Sequence, residues 1–319
     1  MNTDGFEPIT PELSEAQKGQ KVRWEIKRTR HRKELPLYCW LIFIGFLAVL
    51  ILLSRRSGIP DLQELIAGNK DKEDIAVVFW TFYVLLSLFS GIGAVVLLLI
   101  SMIVSMYRYY GGQLAYSVRV SEVNFPEIYA KVQEYTRLLG LTREPEVYVR
   151  QMNGQVNAYT SWIPGRAFIQ LNAEIVDLAY MENRDFDTVF FVMAHEFGHI
   201  QLHHVQLHYI FWPALGMFFP VIGQFVYHGW QRAREYSADR VAQALTDGQA
   251  QLETMMMLSA GRHAYKHVDA ADYLERITAK QGALARFARW CINFGSTHPI
   301  HPYRVQAILD PEKRSGRLV

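Results

Sequence analysis

Cysteine is scarce in this chain of 319 residues, which contains two, Cys39 and Cys291. Cys39 lies inside a long uncharged run near the N-terminus, and Cys291 lies near the other end of the sequence. Two residues so far apart exclude both a disulfide framework and a metal site built from cysteine thiolates. Their scarcity suits a domain in a reducing compartment such as the cytosol.

The chain also lacks a strong net charge, an internal repeat and a low-complexity tract. Its formal charge of +2 indicates neither an acidic nor a basic partner. Basic residues are concentrated just before the first uncharged run, at Lys18, Lys21, Arg23, Lys27, Arg28, Arg30, Arg32 and Lys33. Beside a membrane segment such an arm is a topology and lipid-headgroup signal, so we expect the bilayer and no nucleic acid as its partner.

Two long runs contain no charged residue at all. The run 35–53 is long enough to cross a hydrocarbon core of about 30 Å. The run 75–107 exceeds one bilayer thickness, and splitting it at 90–93 leaves two legs that are each short for a span. We therefore predict two transmembrane helices, at about 35–53 and 77–105, the second projecting past the membrane, and not two buried helices of a soluble core.

The basic residues also orient the two spans. In the short loop between them, acidic residues dilute the basic ones, whereas the part of the basic arm 1–34 next to the first span, 18–33, has eight basic residues and one acidic residue. The positive-inside rule therefore places the arm in the cytoplasm, the loop outside, and residues 108–319 back in the cytoplasm.

From residue 108 onward the sequence is typical of a globular domain. A helical pattern covers 120–141, and short β-like runs follow at 147–149, 156–160 and 167–171. Asn153-Gly154 and Pro164-Gly165 indicate hairpin turns between these runs. A helix at about 173–179 and mostly helical sequence from 231 to 288 complete an α+β domain in which helices dominate.

One pentapeptide of this domain carries most of a zinc site, His195-Glu196-Phe197-Gly198-His199. Residues four apart lie on one face of a helix, so both imidazoles can reach a single metal ion, and Glu196 can take a proton from a metal-bound water. Gly198 costs about 1 kcal/mol inside a helix, which indicates a close approach of another chain segment or of the metal site.

We expect this helix to continue to about residue 207. His203 would then extend the face of the motif by another turn, and His204 and His208 would form a second pair with the same spacing. Histidines that face water on a helix near a membrane surface are ordinary, so we predict no metal role for them.

A catalytic zinc site needs a third protein ligand. Glu235 opens an apparent helix 36 residues after His199, and Asp239 lies one turn later on the same face. Two histidines and one carboxylate leave the fourth zinc position for water, as catalysis requires. Asp239 is then placed to accept the free ring N–H of a zinc-bound histidine, or to replace Glu235 as the third ligand.

The chain at this point resembles the HtpX and CAAX-prenyl-protease group of membrane gluzincins. The resemblance covers about 120–310 and is carried by the pentapeptide, Glu235-x-x-x-Asp239, Ser296-Thr297-His298-Pro299 with Arg304, and Asn157-Ala158-Tyr159. It implies a zincin-type zinc endopeptidase domain that binds one Zn2+ per chain and cleaves membrane or membrane-proximal proteins. It also implies an integral, multi-pass protein of a bacterial inner (cell) membrane.

The resemblance implies specific roles for these residues. His195, His199 and Glu235 would bind zinc, Glu196 would be the general base, and Asp239 and Arg304 would support the site. His298 would face the metal, either stabilising the oxyanion or capping zinc, and His301 competes for this place without the Thr-His-Pro context. The strand 157–159 would bind an extended substrate by edge pairing.

One segment departs from the family pattern. Those relatives carry a long hydrophobic hairpin between the second histidine and the glutamate, whereas 209–227 here is a single stretch. One crossing would put His199 and Glu235 on opposite sides of the membrane, and two crossings need about 40 residues. We therefore predict a re-entrant or interfacial hairpin, or a loop buried by the protein.

Three functions remain open at this stage. Edge pairing demands little sequence specificity, which favours quality control of unfolded or damaged membrane proteins. Processing of one lipidated or membrane substrate is an alternative. A catalytically quiet adaptor that keeps zinc for structure is a third reading, but such a site has no use for Glu196.

Overall fold

The computed structural model describes residues 29–54, 92–181, 185–219, 221–246, 248–261, 263–278, 282–309 and 318. Most of the basic arm, the predicted external loop and the start of the second predicted span lie outside these ranges. The described chain is mostly helical with one small sheet, which confirms the predicted α+β class.

Two long apolar helices precede the domain, α1 (Glu34–Ser54) and α2 (Ile92–Tyr116). Both are long and apolar enough to cross a membrane. On α1, Trp40, Phe43 and Phe46 are each more than half exposed. Helix α2 continues beyond the predicted span to Tyr116, and its last turns dock on the sheet, where Gln113 donates to Gln170 at 2.7 Å.

The sheet contains β1 (Val118–Arg119), β2 (Glu146–Arg150), β3 (Ala158–Ile163) and β4 (Arg166–Asn172), in the order β1-β2-β4-β3. β3 and β4 form the hairpin predicted at Pro164-Gly165. The hairpin predicted at Asn153-Gly154 is wrong, because β2 pairs in parallel with β4 and not with β3. The Asn153-Gly154 turn is instead held by the buried Glu174, which accepts from the Gly154 N–H at 2.5 Å.

Helix α3 (Pro126–Leu139) is shorter than the predicted helix 120–141. Its start is delayed because the Val120 N–H bonds to Val147 on β2 and Phe125 has a positive φ of 62°. Helices α4 (Ala173–Met181) and α5 (Asp187–Gln201) follow β4. The main core lies between the sheet, α3 and α5, and includes Val132, Tyr135, Leu171, Phe191 and Phe197.

The apolar stretch 209–227 folds as a helical hairpin. It consists of α6 (Leu207–Leu215), a 3-10 turn (Gly216–Phe218) and the start of α7 (Ile222–Leu245). The hairpin packs beside α1: a Cβ placed on Gly45 would lie 2.7 Å from Leu215 Cβ. Gly45 is about 16 Å along the helix from Glu34, a length equal to about half the thickness of a bilayer core.

Four further helices follow α7 in the described part of the chain. They are α8 (Gly248–Ala260), α9 (Ala270–Thr278), α10 (Ala283–Gly295) and α11 (His301–Leu309), with a 3-10 turn at Tyr265–His267. α8 packs on α5, and α11 packs on both α7 and α8. The site residues of α5, α7 and α11 are thereby brought together.

Candidate metal centre

His195 and His199 lie one turn apart on α5, and their Nε2 atoms are 3.2 Å from each other. Glu235 on α7 approaches both rings, with one carboxylate oxygen 3.5 Å from the Nε2 of His195 and the other 3.5 Å from the Nε2 of His199. All three side chains are buried, and their ligand atoms lie within 4.8 Å of one another. These three residues could therefore hold a metal ion.

Gly198 is the reason that α5 and α7 come close enough to form this cluster. A Cβ at this position would lie 3.0 Å from both the Cα and the carbonyl oxygen of Ala238. The expected close approach is confirmed, and the segment that approaches is α7. Ala238 is three residues after Glu235, so this contact sets the distance between the carboxylate and the two imidazoles.

Asp239 and Arg304 support His195 from behind. The Nδ1 of His195 lies 2.9 Å from Asp239, and the Arg304 guanidinium donates to both oxygens of that carboxylate, at 2.9 and 2.5 Å. Burial alone would raise the pKa of Asp239, but Arg304 and His195 lower it to about 2. The carboxylate therefore stays ionised, and Nε2 of His195 is directed at the cluster.

Glu196 lies beside the cluster, and its carboxylate accepts a hydrogen bond from the hydroxyl of Thr160 on β3. Burial raises the pKa of Glu196 above its usual value, while His195 and Thr160 act in the opposite direction. Sequence reasoning missed Thr160. One signal was available. Thr160 is two residues after Ala158 on the same strand, so the two side chains lie on one face, and a residue beside the Asn157-Ala158-Tyr159 motif could be expected at the site.

His298 also reaches the cluster from an exposed position in the loop before α11. Its Nδ1 lies 2.9 Å from Glu235 Oε2. His301 instead lies 2.9 Å from the hydroxyl of Ser259. The structure therefore brings His298, and not His301, to the candidate ligands.

His204 departs most from the sequence expectation. Helix α5 ends at Gln201 and does not continue to 207, because His203 adopts φ 62°. The N–H of His203 bonds to Ile200 and that of His204 bonds to His199, which is the Schellman pattern of a helix C-terminus. His204 is thereby turned inward and fully buried, while His203 and His208 stay exposed.

The ring of His204 lies behind the candidate metal ligand His199, tilted by 59° to its ring. Its Nδ1 lies 2.8 Å from the Nδ1 of His199. Burial lowers the pKa of His204 to about 4, so the ring is neutral near pH 7. No metal role was expected for this residue, and it lies outside the cluster itself.

A cleft of about 250 Å³ opens over these residues. Asn157, Ala158, Tyr159 and Thr160 line one wall, and Phe191, Met255 and Leu258 contribute apolar surface. β3 is at the edge of the described sheet, since only β4 pairs with it. The Asn172 N–H donates to the Asn157 carbonyl, so the backbone groups of Ala158 and Thr160 point away from β4 toward the free edge.

Residues 122–312, more than half of the chain, match the family model described as peptidase family M48. The chain belongs to this family. Comparisons with curated proteins and with solved structures found no match. Family M48 consists of zinc metallopeptidases, so the chain is a metallopeptidase of this kind.

The side chains of this M48 domain fit a zinc ion. Two imidazole nitrogens and one carboxylate are a donor set of catalytic zinc sites. The Nδ1 atoms of His195 and His199 both have partners, Asp239 and His204, so both Nε2 atoms are left to face a metal.

Proposed function

We propose that this chain is a membrane-bound zinc endopeptidase that hydrolyses membrane or membrane-proximal proteins in quality control. The observation that carries the proposal is the position of Glu196, a buried carboxylate beside three candidate ligands in an open cleft. A structural metal site has no use for a free carboxylate next to it and is normally closed by four protein ligands.

In this proposal His195, His199 and Glu235 would hold one Zn2+ per chain beside the cleft. Bound zinc supplies Lewis-acid polarisation of the scissile carbonyl and lowers the pKa of water. Glu196 takes the proton of the attacking water and passes it to the leaving amine. Thr160 holds the Glu196 carboxylate in the orientation that this transfer needs.

His298 is placed to serve the same reaction. It lines the cleft, its side chain is exposed, and its Nδ1 lies 2.9 Å from Glu235. We propose that it donates a hydrogen bond to the developing oxyanion, an effect typically worth about 2.7–4 kcal/mol. Asp239 and Arg304 are proposed to keep His195 and the loop of His298 in place.

The substrate is proposed to bind along β3. The free edge at Ala158 and Thr160 offers backbone groups to an extended peptide, which fixes the register of the peptide without demanding a particular sequence. Asn157 donates to the hydroxyl of the half-exposed Tyr159 at 3.0 Å, so the two side chains form the rim of this binding edge.

The surface of the protein supports a membrane location. The exposed apolar side chains of α1 and α2 continue onto the 209–227 hairpin, where Trp212, Phe218 and Phe225 are exposed. They continue further onto α10, where Leu284, Phe287 and Ile292 are each at least 60 % exposed. We propose that α1 and α2 span a bacterial inner membrane, that the hairpin is re-entrant, and that α10 lies at the bilayer surface.

The contacts of the two candidate spans support a cytoplasmic peptidase domain. Glu34 at the start of α1 and Gln113 near the end of α2 both contact the domain, so the spans would cross the bilayer and return. With the basic arm inside, the domain is then cytoplasmic.

In a background without Cys39 and Cys291, cysteines introduced at Gly19 and Glu275 should react only from the cytoplasm, and one at Gly68 only from outside. External labelling at residue 275 contradicts this topology.

Glu196→Gln tests the catalytic proposal. The amide keeps the shape of the carboxylate but cannot act as a base, so the variant should fold and hold zinc while proteolysis falls by about 10²-fold or more. Glu275→Gln, the same change at an exposed site, is the control. Cleavage of casein or a model membrane substrate at the wild-type rate by Glu196→Gln would refute the protease proposal.

Mass spectrometry of membranes with and without an active chain separates the alternatives. Accumulation of many unrelated membrane proteins supports quality control, whereas accumulation of one lipidated or membrane precursor identifies a dedicated processing protease. A wild-type protein that holds zinc but cleaves nothing would be a membrane adaptor.

A further inference from the structure

Glu34 is a buried carboxylate that the proposed mechanism does not use. It is the first residue of α1 and has no exposed surface. It accepts hydrogen bonds from Tyr209 at 2.6 Å and from Ser237, and it pairs with Arg30. A charge is retained in a protein interior only when it is bonded in this way, so these contacts hold Glu34 in one orientation.

His204 connects Glu34 to a candidate metal ligand. Its Nε2 lies 3.0 Å from Glu34 Oε1, and its Nδ1 lies 2.8 Å from the Nδ1 of His199. The three side chains therefore form a continuous chain of hydrogen bonds. It begins at the first candidate membrane helix and ends at the cluster.

The chemistry of these groups fixes where each proton lies. An ionised carboxylate can only accept, so the Nε2 of His204 carries a proton. Only one proton fits between two Nδ1 atoms 2.8 Å apart, and a His199 that donates this proton to His204 keeps a lone pair for a metal ion. This leaves the lone pair of His199 on Nε2, the nitrogen that faces His195 and Glu235.

We propose that Glu34 and His204 are positioning residues of the zinc centre, which fix the tautomer and orientation of His199 and raise its basicity. Asp239 does the same for His195 directly, whereas Glu34 acts on His199 through a second imidazole. The inference rests on the proposed zinc site and adds two residues to it.

Two observations support a positioning role over direct ligation by His204. Its contact with His199 is on the Nδ1 side of that ring, opposite the Nε2 that joins the cluster. The turn that delivers it is strained, since His203 adopts a left-handed conformation without being glycine. Arg234 fixes this turn by donating to the His204 carbonyl at 2.6 Å.

Glu34 also joins several elements of the fold. Glu34 contacts α6 through Tyr209 and α7 through Ser237 as well as the turn after α5. The start of the first candidate span is therefore an internal part of the metal centre. Zinc affinity should depend on a residue that lies 161 positions before the first ligand.

The test is zinc affinity of the full-length protein in detergent, measured by competition with a chromophoric chelator. Glu34→Gln and His204→Phe should each weaken zinc binding by about 10- to 100-fold, as loss of such partners typically does. Asparagine places a carbonyl oxygen near the position of the ring Nδ1, so His204→Asn should recover part of the affinity lost in His204→Phe. Substituted Co2+ should show altered visible absorption in Glu34→Gln and His204→Phe.

His203→Asn is the matched control, because it removes the neighbouring exposed imidazole and tolerates the positive φ. It should keep wild-type zinc affinity and the wild-type Co2+ spectrum. If His204→Phe does not fold, Glu34→Gln and His204→Asn decide the question. Wild-type zinc affinity in folded Glu34→Gln and His204→Asn overturns the positioning role of Glu34 and His204. A wild-type protein that binds no zinc refutes the proposed function itself.

Discussion

Asp239 links His195 to Arg304, accepting from the ring at 2.9 Å and from two guanidinium nitrogens of the arginine, Nε and Nη2. All three side chains are buried. Removing one partner of a buried ion pair typically costs about 3–5 kcal/mol, because the other charge is left uncompensated.

We therefore expect Asp239→Asn to lower the thermal midpoint and to weaken zinc binding by about 10- to 100-fold. Calorimetry and chelator competition measure the two effects. Asp272→Asn is the control, since Asp272 pairs with Arg276 at the surface, where ion pairs contribute about 0–1 kcal/mol. Equal stability of the two variants would show that Asp239 does not stabilise the site.

Zinc content tests the ligand assignment directly. Elemental analysis should give one zinc per wild-type chain, and His195→Ala, His199→Ala and Glu235→Ala should each lose it. His208→Ala, a change at an exposed histidine, should keep full occupancy. Full retention of zinc in Glu235→Ala would point to Asp239 or another histidine as the third ligand.

Thr160 gives a prediction for the pH dependence. Its hydrogen bond lowers the pKa of Glu196, opposing the larger effect of burial, so Thr160→Val should raise that pKa. The base is then protonated up to a higher pH, and the acidic limb of kcat/KM moves upward. The hydrogen bond also orients the carboxylate, so the rate above this limb should fall as well. Thr160→Ser keeps the hydroxyl and should restore both, and an unchanged profile in Thr160→Val would show that Thr160 does not act on the base.

His298→Ala separates two roles for this residue. If it stabilises the oxyanion, turnover should fall about a hundredfold or more with KM little changed. If it caps zinc, basal activity should rise and zinc should loosen. His301→Ala is the matched control, because that ring bonds to Ser259 instead. Wild-type kinetics in His298→Ala would show that the Thr-His-Pro loop takes no part in catalysis.

Gly198→Ala tests the contact between α5 and α7. The added Cβ lies 3.0 Å from the backbone of Ala238, so α7 must shift by a few tenths of an ångström and carry Glu235 with it. We expect weaker zinc binding together with a stability loss of about 1–3 kcal/mol from overpacking. Gly111→Ala, in a helix with open space around the glycine, should be neutral or stabilising. Unchanged zinc affinity in Gly198→Ala would show that the helix spacing is not critical.

Much of the centre could be read from the sequence because its geometry is local. The spacing of His195 and His199 places both rings on one helix face, and Glu235 and Asp239 are related in the same way on α7. Because a catalytic zinc site needs a third protein ligand, the histidine pair on α5 implies a ligand on another element, and Glu235 of α7 is the candidate. Gly198 indicated a close approach for an equally local reason, the low helix propensity of glycine.

Other features could not be predicted, because they depend on where a chain segment turns and what it meets. The positive φ of His203 ends α5 early and buries His204, although the sequence pattern favoured a longer helix. The parallel pairing of β2 with β4 depends on a crossover that turn residues alone do not reveal.

The sequence by itself determined the zinc chemistry of this protein, the family to which it belongs and the two apolar runs, since each depends on residue types at fixed short spacings. Only the tertiary structure decided that Thr160 holds Glu196, that His298 and not His301 reaches Glu235, and that Glu34 bonds to His204. These contacts join residues that are far apart in the chain. Their formation depends on how helices and sheet pack, which no local pattern encodes.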